Sequence, residues 1–490
     1  MKTLLALALA ATMMLGCEKK AEDNPVMPTP VNSPPETVLL ECPPVIGHDA
    51  HVRFRVGGSD EDGTVQGFRY LLQPILPDTQ FSLNGSIDFT LEDSVYHFMA
   101  SAVDDEWAVD PSPVTYTFTV DADTTPPRPA VDFFHETDRW IAYAPTNFNP
   151  NIQQFPSEES ILADLEVLVD ANFTCVVTYG ADGTLGRIPL LARNAGMQHV
   201  VMGIWSLTNT EEWNAALANT AFVDGYCLGN EGLMRNDYTL AELEARMAQL
   251  RALTGKPVTT TEPIGAYDTA LLDAGDWAFP NTHPFWANIT NPETAAAWTE
   301  EQYTALSGRT QQVVIMKEVG LPTEGAADLS EENQNSYYRL MEGTTARFVY
   351  FEAFDQPWKN SQPIEPHWGL FMPDRTTKLA SQPQVLFTHV PPLNSYENLQ
   401  GRIVNVLPQN FKTTTYINVN GTWWVKPYAN TPLTSIAANG TWTTDITTGG
   451  IDQTAGIINT YLVTPDYPAD LHALPSLEDT RVLTYTTASR

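Results

Sequence analysis

Strict alternation of apolar and polar residues marks the first folded stretch of the chain. His51-Val-Arg-Phe-Arg-Val56 and Val114-Thr-Tyr-Thr-Phe-Thr-Val120 both place an apolar side chain at every second position. Successive side chains of a strand point to opposite faces, so each run reads as a half-buried strand. Ser94–Val103 has strand composition, and Ser59-Asp-Glu-Asp-Gly63 supplies turn chemistry between such runs. Short strands at this spacing predict an immunoglobulin-like β-sandwich over 37–122. Asp60, Glu61 and Asp62 read first as an acidic turn and second as a calcium site.

Beyond Pro129 the period changes. Strand-like runs at Arg139–Ala144, Phe173–Tyr179, His199–Trp205, Phe222–Asn230, Pro257–Glu262, Asp276–Thr282, Val313–Glu318 and Arg347–Phe354 alternate with amphipathic stretches such as Glu158–Asp170, Leu240–Leu253 and Glu331–Met341. Eight strand–helix units over roughly 245 residues predict a central (β/α)₈ barrel, a TIM barrel, spanning 137–382. After it, Thr414–Gly421, Trp423-Trp424 and Asn439-Gly-Thr-Trp442 show strands with glycine turns, so 383–490 reads as a C-terminal β-rich domain. Its tryptophans suit a small core, with stacking on sugars as the alternative. Proline-rich stretches at 17–36 and 123–136 read as a tether and a linker. The chain is therefore multidomain, as 490 residues exceed what one core supports.

Charge narrows the partners. The formal net charge of −33 repels phosphate backbones, so nucleic acid is excluded as a partner. Lys2 followed by the apolar stretch Leu4–Leu15 reads as an export signal over 1–16. Its end, Met14-Leu15-Gly16-Cys17, resembles a bacterial lipoprotein cleavage box. The expectation is a lipidated Cys17 that anchors the protein to a membrane of the bacterial cell envelope. The remaining cysteines have no metal-ligand spacing. Cys175 and Cys227, inside apolar runs, read as buried free thiols, with a disulfide as the alternative.

The candidate chemistry lies in two glutamates. Glu231 in Tyr226-Cys-Leu-Gly-Asn-Glu-Gly-Leu233 and Glu318 in Val313-Val-Ile-Met-Lys-Glu-Val-Gly-Leu-Pro322 each end a strand run and open onto a loop. That places two carboxylates at the C-terminal ends of barrel strands four and seven, where catalytic groups of such folds collect. Two facing carboxylates suffice to cleave a glycosidic bond. Around them, Asn230 is placed to bond a sugar hydroxyl. Tyr143 and Tyr179 end strands one and two, and His283, Phe285 and Trp286 follow strand six. The aromatic rings suit either the apolar face of glucose or barrel packing. No cofactor or metal is expected: no glycine loop has phosphate-binding spacing, and no histidine pair has zinc spacing.

Five ordered blocks carry a resemblance: Gly229-Asn-Glu231, Phe279-Pro-Asn-Thr-His-Pro-Phe-Trp286, Lys317-Glu-Val-Gly-Leu-Pro-Thr323, Phe351-Glu-Ala-Phe-Asp-Gln-Pro-Trp-Lys359 and His367-Trp-Gly-Leu-Phe371. The stretch from Arg139 to Phe371 resembles glycoside hydrolase family seventeen, the β-1,3-glucanases and related glucanosyltransferases. The resemblance implies that Glu231 is the general acid/base and Glu318 the nucleophile of a retaining hydrolysis of β-1,3-glucan. It also implies that Lys359 belongs to the site. Relatives usually carry Glu where this chain has Gln356, which puts a local ion pair with Lys359 in doubt. Val177 or Thr178 stands where an arginine is common. Glucan transfer by the same residues, and a non-catalytic glycan-binding lipoprotein, are the alternatives. A monomer is expected.

Overall fold

The computed structural model describes residues 32–47, 50–120 and 128–490. Cys17, the export segment, most of the proline tether and residues 123–127 of the linker lie outside them. The chain divides into two compact units, Met1–Pro127 and Arg128–Arg490. No helix of the described residues is long and apolar enough to cross a membrane.

The first unit holds two sheets. One pairs Glu36–Glu41, His51–Ser59 and Ser86–Thr90. The other runs Ile46–Gly47, Val114–Val120, Ser94–Asp104, Val65–Gln73 and Gln80–Ser82. The alternation is realised on the central strand. Val52, Phe54 and Val56 are buried while His51, Arg53 and Arg55 are exposed. Phe54 stacks on Phe98 of the other sheet at 3.8 Å, and both belong to one core cluster. In the acidic turn, Asp62 accepts the Ser33 backbone N–H at 3.0 Å.

The second unit is built on a curled parallel sheet. Its order is Val258–Thr259, Gly225–Leu228, His199–Ile204, Cys175–Val177, Trp140–Ala142, Phe348–Tyr350 and Met316–Val319. The segment 276–282 links the two edges. Asp276 N–H donates to Val258 O at 3.0 Å and Asn281 N–H to Glu262 O at 2.9 Å. On its other side, Ala278 N–H donates to Val313 O at 3.0 Å and Lys317 N–H to Pro280 O at 2.8 Å. The sheet thus takes a barrel-like form. Its strands are shorter than the apolar runs suggest: Arg139–Ala144 contributes a ladder only over Trp140–Ala142, and Val313–Glu318 one over Met316–Val319. The flanking residues leave the regular ladder.

Helices fill the intervals. Glu158–Asp170 and Glu331–Met341 have the predicted bounds, capped by the hydroxyls of Ser157 and Ser330. Leu240–Thr254 opens with a capping box between Thr239 and Glu242, and ends at Gly255 in left-handed conformation. Cys175 and Cys227 are buried and free, on strands separated by His199–Ile204. Burial pushes their thiols up to about 12 and about 11.

The C-terminal strands form two sheets. The first is Gln384–His389, Leu399–Val404 and Thr441–Thr444; the second contains Thr422–Lys426, Lys412–Val419, Ile457–Val463 and Val482–Ser489. The first is tied through Arg402 to Glu342, the residue that caps the helix Glu331–Met341. Glu342 lies 2.7 Å from Arg339, 3.1 Å from Arg402 and 3.5 Å from Arg139. Burial pushes the Glu342 carboxyl up, but the three guanidiniums outweigh it and hold it below the usual range. Trp442 is core, while Trp424 is 39% exposed, edge-on to His472.

Candidate active site

Glu318 stands on the strand Met316–Val319 and is buried. Three groups hold its carboxylate. Tyr179 Oη donates to Oε1 at 2.9 Å, Lys317 Nζ to the same oxygen at 3.2 Å, and His283 Nε2 lies 3.0 Å from Oε2. Burial pushes the carboxyl up, yet the Lys317 ammonium and the His283 and Tyr179 hydrogen bonds win and hold it at about 2. It is therefore ionised at neutral pH and oriented. Lys317 reaches it because the strand is irregular between Met316 and Val319, which breaks the alternation that would send the two side chains to opposite faces. Its ammonium also lies 4.3 Å from the Tyr179 ring centroid and donates to Asn230 Oδ1.

Glu231 follows the strand Gly225–Leu228 and adopts the left-handed conformation, φ 55° and ψ 27°. A non-glycine residue is disfavoured there by about 1–2 kcal/mol, so its surroundings must hold it. The Glu231 N–H donates to Thr261 O at 2.8 Å, and Glu262 accepts the Leu233 and Met234 N–H groups at 2.8 and 3.2 Å. Gly229, at φ 77°, permits the turn, because a Cβ there would collide with the Tyr238 hydroxyl. The Glu231 carboxylate accepts the Asn281 side-chain amide at 2.8 Å. Asn281 also forms a parallel bridge with Glu318. One residue of the segment 276–282 thus touches the side chain of one glutamate and the backbone of the other.

A pocket of about 890 Å³ opens beside Glu318, lined among others by Tyr143, Tyr179, Trp205, Asn230, Trp358 and Lys359. Tyr143 presents its ring there, but its hydroxyl donates to buried Asp164 at 2.9 Å. Glu231, His283, Phe285 and Trp286 do not line this pocket. Phe285 is half-buried, edge-on to Trp368, whereas Trp286 is 48% exposed.

Lys359 keeps an ion pair although position 356 is a glutamine. Its ammonium pairs with Glu352 at 2.7 and 2.9 Å, not with position 356. Gln356 is buried, donates to Ala144 O at 2.9 Å and accepts the Trp358 indole N–H at 2.8 Å. Burial pushes the Glu352 carboxyl up, Lys359 opposes this, and nearby Glu318 and Asp355 add to it, leaving it at about 7. Glu365 is a further, half-buried carboxylate, two residues before the block His367–Phe371. Burial raises it, Lys359 and His283 lower it, and both Glu318 and Glu231 raise it again, so it lies in the field of both glutamates. Lys317, Asn281, Glu352 and Glu365 were not singled out by the sequence reading. The first three sit inside the quoted blocks and Glu365 lies two residues before one, so closeness to a block was the available signal.

Residues 141–369 match the family model of the BtgE/BtgC glycoside hydrolase domain. The chain therefore carries a glycoside hydrolase domain, and glycoside hydrolases are the class to which fold and site point. A putative glucan endo-1,3-β-glucosidase btgC of Aspergillus niger is 26% identical over 277 residues, 46% of this chain and 40% of the relative. A glucan 1,3-β-glucosidase of Saccharomyces cerevisiae is 25% identical over 183 residues, 30% of this chain and 58% of the relative. The matched stretch is thus similar to β-1,3-glucanases, the family that the sequence blocks resemble. The chain spans only 40% and 58% of the length of these two relatives. A solved β-1,3-glucanosyltransferase of glycoside hydrolase family 17 from Rhizomucor miehei is 24% identical, with a TM-score of 0.44 over 50% of this chain and 97% of that one.

Proposed function

We propose that the protein is a retaining glycoside hydrolase acting on β-1,3-glucan, with Glu318 as nucleophile and Glu231 as general acid/base on a complete (β/α)₈ barrel. The observation that carries this reading is the buried, ionised Glu318 carboxylate at the pocket wall, with the Glu231 carboxylate tied to Asn281 on the neighbouring segment. In the first step the Glu318 carboxylate attacks the anomeric carbon. The bond to the leaving oxygen breaks, and that oxygen takes the Glu231 proton. In the second, a water attacks the same carbon, Glu231 takes the water's proton, and the Glu318 carboxylate leaves. Lys317 and His283 keep the nucleophile charged between turns. Asn230 Oδ1 is taken by Lys317, which leaves its amide N–H group for a sugar hydroxyl.

The test is hydrolysis of laminarin-type oligosaccharides by Glu231→Gln and Glu318→Gln. Each should lose turnover by about a thousandfold or more, because a residue that acts in the covalent step is removed. Wild-type-like turnover in either variant, or tight binding of intact oligosaccharide by the parent protein without new reducing ends, removes the reading. Apolar walls at Phe148, Phe155, Trp205 and Trp358 also suit a second sugar chain, which supports glucan transfer as a second reading. Products longer than a single defined substrate distinguish transfer from hydrolysis. We further propose a Cys17 lipid anchor, from the Leu15-Gly16-Cys17 box, and an immunoglobulin-like character for the first unit, from its two-sheet core. Mass spectrometry of the mature N-terminus tests the anchor.

A further inference from the structure

We propose that His135, Asp138 and His199 bind one zinc ion at the end of the barrel opposite the two glutamates. His199 is the first residue of the strand His199–Ile204, and His135 and Asp138 lie just before the strand Trp140–Ala142. Both therefore sit where strands begin, while Glu231 and Glu318 stand where strands end. One donor atom from each of the three side chains lies within 4.8 Å of the others. On a tetrahedral zinc with bonds of 2.0–2.1 Å, ligand atoms are roughly 3.4 Å apart, so the cluster must close by about 1.4 Å at most. His135 is exposed and can supply that movement by rotating.

The turn and the strand that carry the three ligands are held in place before any ion arrives. His135 N–H donates to Asp138 Oδ2 at 2.9 Å and Asp138 N–H to His135 O at 3.1 Å, so these two ligands share one closed turn. The His199 ring lies parallel to Trp140 at 6.2 Å and edge-on to His135 at 5.4 Å. Its Nδ1 is buried without a hydrogen-bond partner, 3.3 Å from Asp224 Oδ2 but out of alignment. Asp224 is itself fixed, accepting from Arg193 at 2.7 Å and from the Val200 N–H at 2.8 Å. A ligating histidine commonly gives its second ring N–H to a carboxylate, which sets the tautomer. A small rotation of the ring would bring Nδ1–H into line with Asp224 Oδ2 and leave Nε2 for the ion. Two imidazoles and one carboxylate suit zinc, with water as fourth ligand. The site is invisible to motif spacing because its ligands come from two strands separated by a third.

The ion would tie the entry of the first barrel strand to the start of the third. It would stabilise the fold and leave glucan cleavage at the other end unchanged. The test uses the untagged chain stripped of metal. Calorimetric titration with Zn²⁺ should show one ion per chain, and Co²⁺ should give the visible absorption of a low-symmetry nitrogen–oxygen site. Zn²⁺ should raise Tm. His135→Ala, at an exposed position, should fold normally, bind at least tenfold more weakly and lose the Tm rise. His199→Asn should behave alike. No stoichiometric uptake by the parent chain overturns the proposal. So does uptake unchanged in His135→Ala and His199→Asn, which would place the ion elsewhere.

Discussion

Replacing Lys317 by Met isolates the electrostatics of the candidate nucleophile. The ammonium lies 3.2 Å from Glu318 Oε1 in a buried setting. At an effective dielectric of ~20, that pair attracts by about 5 kcal/mol. One pKa unit corresponds to 1.36 kcal/mol, so full loss would raise the carboxyl by more than three. His283 and Tyr179 remain as hydrogen-bond partners, so Glu318 should move from about 2 to around 5. A nucleophile must be ionised, so the acid limb of kcat/KM against pH should shift upward by about three, with activity near neutrality much less affected. The assay is initial-rate hydrolysis of a laminarin oligosaccharide from acid to neutral pH, with Tm measured at each point to exclude unfolding. Lys317→Arg keeps the charge and should keep most of the low-pH activity. If Lys317→Met stays folded and its acid limb lies within about half a pH unit of the parent's, the electrostatic account of Glu318 is wrong.

Stability should respond to pH in two opposed windows. Glu318 is depressed from 4.5 to about 2, so its contribution, about 3 kcal/mol, is present above pH 4.5 and lost as pH falls toward 2. Glu352 is raised from 4.5 to about 7, so its protonated form favours the fold and stability declines by up to about 3 kcal/mol as pH rises across that interval. Denaturant titrations should show a flatter decline between 4.5 and 7 in Glu352→Gln. Gln356→Glu, which installs the residue usual in relatives, would set a carboxylate against the Ala144 carbonyl and should lower stability by about 2 kcal/mol, read as a lower Tm. Trp286 is exposed, so Trp286→Ala should leave Tm unchanged; if the ring stacks on glucose, kcat/KM on short substrates should fall by the equivalent of about 1–3 kcal/mol. A Tm loss without a kinetic one would make Trp286 a packing residue.

The sequence by itself determined which stretches form strands and helices and which two glutamates are the candidates for chemistry. Period-two alternation at His51–Val56 and the amphipathic stretches Glu158–Asp170 and Glu331–Met341 are local properties, and local physics decides them. Glu231 and Glu318 were legible because each ends an apolar run, and strand ends of a parallel sheet share one side. What surrounds them was not legible. That Lys317 turns toward Glu318, that Lys359 pairs with Glu352 and leaves Gln356 to Ala144 and Trp358, and that Asn281 reaches Glu231 all depend on which strands neighbour each other and where their ladders fray. The same holds for His135 and His199, which meet only because the sheet curls. Pairing across a barrel is a long-range packing outcome: a one-residue change of register would point each of these side chains to the opposite face, and no local pattern in the chain records the partner.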